Sequence, residues 1–208
     1  MTNNIFIHRN DLSEKVLENI SDVAIDTETT GLNFIRDRLC VLQLSFGNKE
    51  AHIVQFDNNY DFRQSKHLIS LLNNDSIMKV FHYARFDMAQ IKKNFGFHVN
   101  NVYCTKIASK LARTYTDSHG LKELCRELLS ITISKQQQSS YWGKLELTKD
   151  QLEYASSDVL YLHDIRDKLN EILVRENRID LLRSCLKYLQ VRVDLDLEGW
   201  TDIDIFAH

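Results

Sequence analysis

The chain has 208 residues, of which 43% are apolar and 26% are charged, and its formal net charge is −3 at pH 7. This composition excludes disordered and fibrous proteins, and the length fits one folded domain over residues 1–208. The negative balance argues against a broad basic face for long duplex nucleic acid, because each neutralised phosphate needs a lysine or arginine. No apolar run approaches a bilayer span and the N-terminus is mostly polar. We therefore expect no membrane segment, no secretory signal and a cytoplasmic location.

The first part of the chain predicts strands. Short apolar runs predict strands at 4–7, 23–26, 39–46 and 51–56. A short helix capped by Asn10 or Asp11 and ending at Ile20 is predicted between the first two. A turn at 47–49 separates the third run from the fourth, so the last three strands fit an antiparallel meander.

In the rest of the chain, predicted strands alternate with predicted helices, and the last part is helical throughout. Strands are predicted at 78–82 and 102–104, and helices at 64–72, 84–95, 105–114, 121–129, 148–174 and 179–191. Thr148 and Gln151 have the spacing of a capping box, and the long helix that they start has room for a bend. Strands followed by alternation and then by helices predict a mixed α/β fold, with a central sheet flanked by helices.

The stretch 23–32 runs from a buried strand into two carboxylates, Asp26 and Glu28. On a strand, this i, i+2 spacing sends both side chains to one face, and Thr29 to Gly31 then predict a turn. Neighbouring carboxylates repel each other and are costly to desolvate, and a divalent cation removes both penalties. A solvated strand end with two surface acids explains this stretch equally well.

Three residues further along could complete such a site. Asp87 lies at the start of the predicted helix 84–95, where attraction to the helix dipole also accounts for an acid. Tyr154 and Asp158 are spaced i, i+4 and share a helix face. Taken alone, they are equally explained as an ordinary pair on a half-buried helix.

In their order along the chain, these five residues resemble the motifs of the DEDDy 3′–5′ exonucleases, over about residues 23–169. The sister class has a histidine five residues before the last acid, and here that position is Glu153. The resemblance implies a ribonuclease H-like exonuclease fold. It also implies phosphodiester hydrolysis with two divalent cations, Mg²⁺ or Mn²⁺.

The same resemblance implies a role for each motif residue. Asp26 would bridge both cations, and Glu28 and Asp158 would complete the site of the one that activates water. Asp87 would support the second cation, through water. Tyr154 would orient the attacking water by its hydroxyl, since an ordinary phenol is a weak base.

Further segments, at 104–111, 114–123, 133–140, 194–200 and 205–208, resemble the NrnC or nanoRNase C group. This resemblance implies an exoribonuclease that degrades very short RNA, chiefly 5′-phosphorylated dinucleotides, to nucleoside monophosphates, and that assembles as a homo-octamer. Two rivals stay open. One is a general DEDDy exonuclease that trims longer RNA or DNA, and the other is a catalytically silent nucleic-acid-binding module.

Several residues are candidates for substrate contact. In short-oligonucleotide exonucleases, a leucine after this turn wedges between two bases; Leu32 has that position, although it could merely pack its loop. Thr29 follows Glu28, and His82 lies in the stretch that leads to Asp87. A 5′ phosphate needs cationic or amide donors, and the candidates are Arg113, His119, Lys122 and the stretch 135–140 with Gln136. Each is also explained as a solvated surface group, and Arg85 could instead neutralise a motif acid.

The C-terminal segment 192–208 carries apolar residues among acids and few helix or core signals. Aromatic anchors are favoured at subunit contacts, and the octamers implied by the resemblance to the NrnC group lead us to expect that this tail contacts a neighbouring subunit. The alternative is a segment folded back on its own domain.

Overall fold

The computed structural model describes residues 4–34, 36–134, 136–137 and 139–207. Within these ranges, six strands form one sheet in the order β1-β4-β3-β2-β5-β6. They are β1 (Asn4–Arg9), β2 (Asp22–Thr29), β3 (Leu39–Ser45), β4 (Glu50–Gln55), β5 (Met78–Phe81) and β6 (Val102–Cys104). β3 is antiparallel to both β2 and β4, and the remaining pairs are parallel. The predicted mixed sheet and its antiparallel meander are confirmed.

Helices cover both faces of this sheet. They are α1 (Lys66–Leu72), α2 (Ala84–Phe95), α3 (Thr105–Ala112), α4 (Leu121–Leu129), α5 (Lys149–Leu160), α6 (Leu162–Arg175) and α7 (Ile179–Leu197). Val23 and Ile25 of β2 pack in a core cluster with α1, α2 and the end of α7. Ala24, which points the other way, packs in a second cluster with α5 and α6. None of the described helices combines the length and apolar character needed to cross a membrane.

Two predicted helices take a different form. The segment 10–20 holds a single 3₁₀ turn at Glu14–Leu17, because the proposed cap, Asp11, serves another helix. Its carboxylate accepts hydrogen bonds from the backbone N–H groups of His67 and Leu68 at the start of α1. The predicted helix 148–174 is divided into α5 and α6 at Tyr161, whose φ of −107° and ψ of −2° interrupt the regular helix.

The C-terminal segment is more ordered than its sequence indicates. α7 continues to Leu197, six residues beyond its predicted end, and the side chain of Asp196 is fully buried. Arg85 and Arg192 both donate to its carboxylate, which makes this burial tolerable. Beyond the helix, apolar side chains remain exposed at Trp200, Ile203, Ile205 and Phe206. The predicted helix end at residue 191 is therefore wrong, because the ion pair with the distant Arg85 holds the last turn of the helix.

Candidate active site

β2 presents its two acids on one face and its threonines on the other. Asp26 and Glu28 are half-buried, whereas Thr27 and Thr29 between and after them are buried. The acids share their face with Ala24, which packs with α5. The predicted alternation is therefore present, and it directs both carboxylates toward α5.

α5 supplies a third carboxylate. Carboxylate oxygens of Asp26, Glu28 and Asp158, one from each, lie within 4.8 Å of one another. The start of this helix is fixed by the predicted capping box, in which Thr148 accepts from the backbone of Gln151 and the Gln151 side chain accepts in return. A solvated pair of strand acids does not describe this arrangement, because a third acid from a distant helix converges on the pair.

Asp87 reaches the site from the opposite face of β2. Thr27 Oγ1 donates a 2.6 Å hydrogen bond to Asp87 Oδ1, and Asp87 is only 3% exposed. The parallel pairing of β2 with β5 places Ile25 opposite Phe81, so α2 begins beside the acids of β2. Asp87 is thus buried beside β2, where its charge raises the pKa of Asp26, and dipole complementarity at a solvated helix start is not sufficient to explain it.

Burial and mutual repulsion disfavour the ionised forms of these acids. Burial raises the pKa of Asp26 well above its ordinary value, and the charges of Asp87, Asp158 and Glu28 raise it further. Burial and the same kind of repulsion raise the pKa of Glu28 to about 9, and burial raises that of Asp87 to about 7. All charged groups that shift the pKa values of Asp26 and Glu28 are themselves carboxylates. This donor set fits hard divalent cations such as Mg²⁺ or Mn²⁺.

Tyr154 lies one helical turn before Asp158 and hydrogen-bonds to it. Burial, together with the charges of Asp158, Glu28 and Asp26, raises the pKa of the phenol. The hydroxyl therefore stays protonated at neutral pH, where it can donate and accept hydrogen bonds but not act as a base.

Trp142 supports Tyr154, and sequence reasoning missed it. The indole is 2% exposed, and its ring centroid lies 6.0 Å from that of Tyr154. Gln151 ties this loop to α5, since its Nε2 donates to Ser140 Oγ and to the Tyr141 carbonyl oxygen. An aromatic residue a few positions before a predicted helix cap was the available signal.

Leu32 protrudes from the loop after β2. Its side chain is 82% exposed. The loop closes tightly below it, because a Cβ at Gly31 would lie 2.3 Å from Asp37 Oδ2. The Thr29 hydroxyl donates to the carbonyl oxygen of Gly31, so the side chain of Thr29 stabilises this turn. Because it is so exposed, Leu32 does little to pack its own loop.

The basic and amide candidates differ in their accessibility. His82 and His119 are half-buried, and their Nδ1 atoms lie 2.9 Å from Thr105 Oγ1 and Ser109 Oγ respectively. Lys122 is half-buried and Gln136 is exposed, whereas residues 135 and 138 lie outside the described residues.

Two arginines have structural partners. Arg113 is 0% exposed and donates to Glu127, Ser109 Oγ and the Ser118 carbonyl oxygen. Its guanidinium therefore cannot reach a phosphate in this conformation, and the sequence prediction is corrected on this point. Arg85 pairs with Asp196 and does not neutralise a motif acid.

Comparison with known proteins places this geometry in a family. A family model described as a 3′–5′ exonuclease matches residues 7–174. A structure of Brucella melitensis NrnC bound to pGG is 49% identical, with a TM-score of 0.95 and coverage of 100% of both chains. Brucella melitensis NrnC with bound Mg²⁺ is also 49% identical, with a TM-score of 0.93 and coverage of 99% of both chains.

A ribonuclease D from Gluconacetobacter diazotrophicus is 33% identical over 172 residues, which are 80% of this chain and 42% of that protein. The chain thus spans less than half the length of this curated relative. These matches confirm the predicted ribonuclease H-like exonuclease fold and the resemblance to NrnC. The chain belongs to the 3′–5′ exonuclease family.

Proposed function

We propose that this protein is a metal-dependent 3′–5′ exoribonuclease that hydrolyses 5′-phosphorylated dinucleotides, and other very short RNA, to nucleoside monophosphates. The observation that carries the proposal is the cluster of Asp26, Glu28 and Asp158, with the protonated phenol of Tyr154 beside it. Buried carboxylates that repel one another favour an added cation, and a phenol next to them can orient a water.

Different residues of the chain would bind the cations and orient the attacking water. Two divalent cations would supply an activated water and stabilise the leaving 3′ oxygen. Asp26, Glu28 and Asp158 would hold them, and Asp87 would contribute from the opposite face of β2. Tyr154 would orient the attacking water through its hydroxyl, which its hydrogen bond to Asp158 holds in place.

The preference for dinucleotides rests on two supports. The pGG bound to Brucella melitensis NrnC is a 5′-phosphorylated dinucleotide by its formula, and that protein matches this chain over its whole length. Leu32 offers an exposed apolar side chain directly after the strand that bears the acids. The remaining candidates for contacts to the substrate phosphates are His82, His119, Lys122 and Gln136. Thr29 stabilises the turn before Leu32.

A length series tests this function. The substrates are 5′-phosphorylated oligoribonucleotides from two nucleotides upward, each assayed with Mg²⁺ and with Mn²⁺. We expect the dinucleotide to have the highest kcat/KM and chelation to abolish turnover. Equal values across the series would favour a general exonuclease that trims longer RNA or DNA. Binding without any turnover would favour a silent nucleic-acid-binding module.

Leu32→Ala tests the wedge. Burying a leucine between two bases would contribute about 1.5–3 kcal/mol, so KM for the dinucleotide should rise roughly 10- to 100-fold. Leu145→Ala is the matched control, because Leu145 is likewise exposed, at 71%, but lies in another loop. An unchanged KM for Leu32→Ala would remove the wedge role.

We further propose a homo-octamer located in the cytoplasm. Four apolar side chains beyond α7, namely Trp200, Ile203, Ile205 and Phe206, are exposed in the single chain and suit a subunit interface. Ile203→Ser together with Phe206→Ser should lower the mass measured by light scattering. A mass unchanged by both substitutions would argue against contacts through this tail.

A further inference from the structure

Gln43 lies in the middle of β3, directly opposite Asp26 in the antiparallel pairing of β2 and β3. On its other side it pairs with Ile53 of β4. Directly opposite residues of neighbouring strands share a face of the sheet. Ile53 packs in the core cluster that includes Ala155 of α5. The side chain of Gln43 therefore lies between the sheet and α5, next to Asp26.

The amide of Gln43 is buried without a partner. Gln43 is 0% exposed, and neither Nε2 nor Oε1 has a hydrogen-bond partner among the described residues. Burying an amide that makes no hydrogen bond is unfavourable, and buried polar groups in native proteins nearly always have one. A methionine would fill the same space without this penalty. We therefore expect the amide to have a hydrogen-bond partner in the functional protein.

Asp26 is the polar group that complements it. Strand pairing places its carboxylate beside the Gln43 amide, and the same carboxylate belongs to the cluster with Glu28 and Asp158. Cβ atoms of directly opposite residues lie about 4.5–5.5 Å apart. One water can bridge side chains at this spacing, and here it would have three polar partners, namely the two amide atoms and the carboxylate.

We propose that Gln43 is a positioning residue for the cation site, and that its amide, through one buried water, holds the carboxylate of Asp26 in the orientation that binds a divalent cation. Gln43 itself contacts neither the cation nor the RNA. This inference rests on the proposed function, because it assumes that Asp26 binds a metal ion.

The test compares two variants on the same strand. Gln43→Met removes the amide at nearly constant volume. Ser45→Ala removes another buried hydrogen-bonding group without a partner, on the same face but opposite Ala24 rather than an acid. Each protein is titrated with MnCl₂ alone in a calorimeter, and its melting temperature is measured without metal. Gln43→Leu repeats the test with a branched apolar side chain.

We expect both Gln43 variants to melt, without metal, at or above the wild-type temperature. Their Kd for Mn²⁺ should rise about 10- to 100-fold, as for other groups that orient a metal ligand. kcat should fall with little change in KM, and Ser45→Ala should bind Mn²⁺ like the wild type.

Three outcomes would overturn the inference. Gln43 variants that bind Mn²⁺ as tightly as the wild type would refute it. An equal loss in Ser45→Ala would mean a general disturbance of β3. A wild type that binds no Mn²⁺ would refute the cation site and the role of Gln43 together. The titration contains no RNA, so a failed dinucleotide preference in the length series is a separate result.

Discussion

Two of the regions that hold buried or half-buried carboxylates differ in their surroundings. Asp196 in α7 is enclosed by two guanidinium groups, with Arg85 Nε 2.5 Å from Oδ2 and Arg192 Nη2 2.7 Å from Oδ1. At the end of β2, Asp26 and Glu28 are surrounded by further acids. The chain thus neutralises one buried acid internally and leaves a cluster of others to an added cation. The first arrangement stabilises the fold, and we propose that the second serves catalysis.

Asp26→Asn should produce the largest effect. Removing the carboxylate shared by the whole site should lower turnover on the order of 10⁴-fold, as loss of a catalytic residue does in other hydrolases. The same change relieves repulsion, so the metal-free variant should melt above the wild type. Turnover and the metal-free melting temperature are measured on one preparation. Wild-type turnover in this variant would refute the two-metal site.

Asp196→Ala should lower the stability of the fold and leave metal binding unchanged. It leaves two guanidinium groups partly buried without their counter-charge, and breaking a buried pair costs about 3–5 kcal/mol of unfolding free energy. Urea denaturation measures this loss, and Mn²⁺ titration of the folded variant should remain near the wild type. A variant of unchanged stability would mean that solvent already screens this pair.

Tyr154→Phe should lower kcat by less than Asp26→Asn does, and it should leave stability unchanged. The phenyl ring keeps its packing on Trp142, while the hydroxyl that orients water is lost. Removing one such hydrogen-bonding group should lower kcat by about 10²-fold. Mn²⁺ affinity and melting temperature should match the wild type. A large loss of stability would show instead that the hydroxyl mainly supports the fold.

The smallest effect concerns pH. The pKa of Glu28 is raised from an ordinary 4.5 to about 9, so the folded metal-free protein binds more protons than the unfolded chain between these values. Its stability should therefore fall as pH rises through this window. A cation keeps the carboxylates ionised, so the gain in melting temperature on adding Mn²⁺ should be greater at pH 8.5 than at pH 6. A gain independent of pH would contradict the raised pKa.

The sequence predicts those features of the molecule that depend on local signals. The bounds of α2 match the prediction, since Gly96 ends the helix in the left-handed conformation with φ of 86°. The capping box at Thr148 and Gln151 is likewise local. The five motif residues are predicted from their types and their order along the chain, and three of them lie in the carboxylate cluster.

Features that depend on distant partners were missed. The sequence indicates that Arg113 is accessible to solvent, yet its side chain is buried against Glu127 on the next helix. α7 continues past its predicted end because Asp196 pairs with Arg85, more than a hundred residues earlier. The position of Gln43 opposite Asp26 depends on strand register, which no local pattern encodes. Trp142 offers a weak local signal before the cap of α5, but its packing on Tyr154 is a tertiary contact.

The separation of Asp26 and Asp158 along the chain has a consequence for biosynthesis. A ribosome releases the chain from its N-terminus, so β2 and its two acids emerge long before α5. Until that helix docks, the nascent polypeptide lacks the third carboxylate of the cluster. The cluster of three carboxylates, and with it the cation site that we propose, therefore forms only when the last third of the chain has folded.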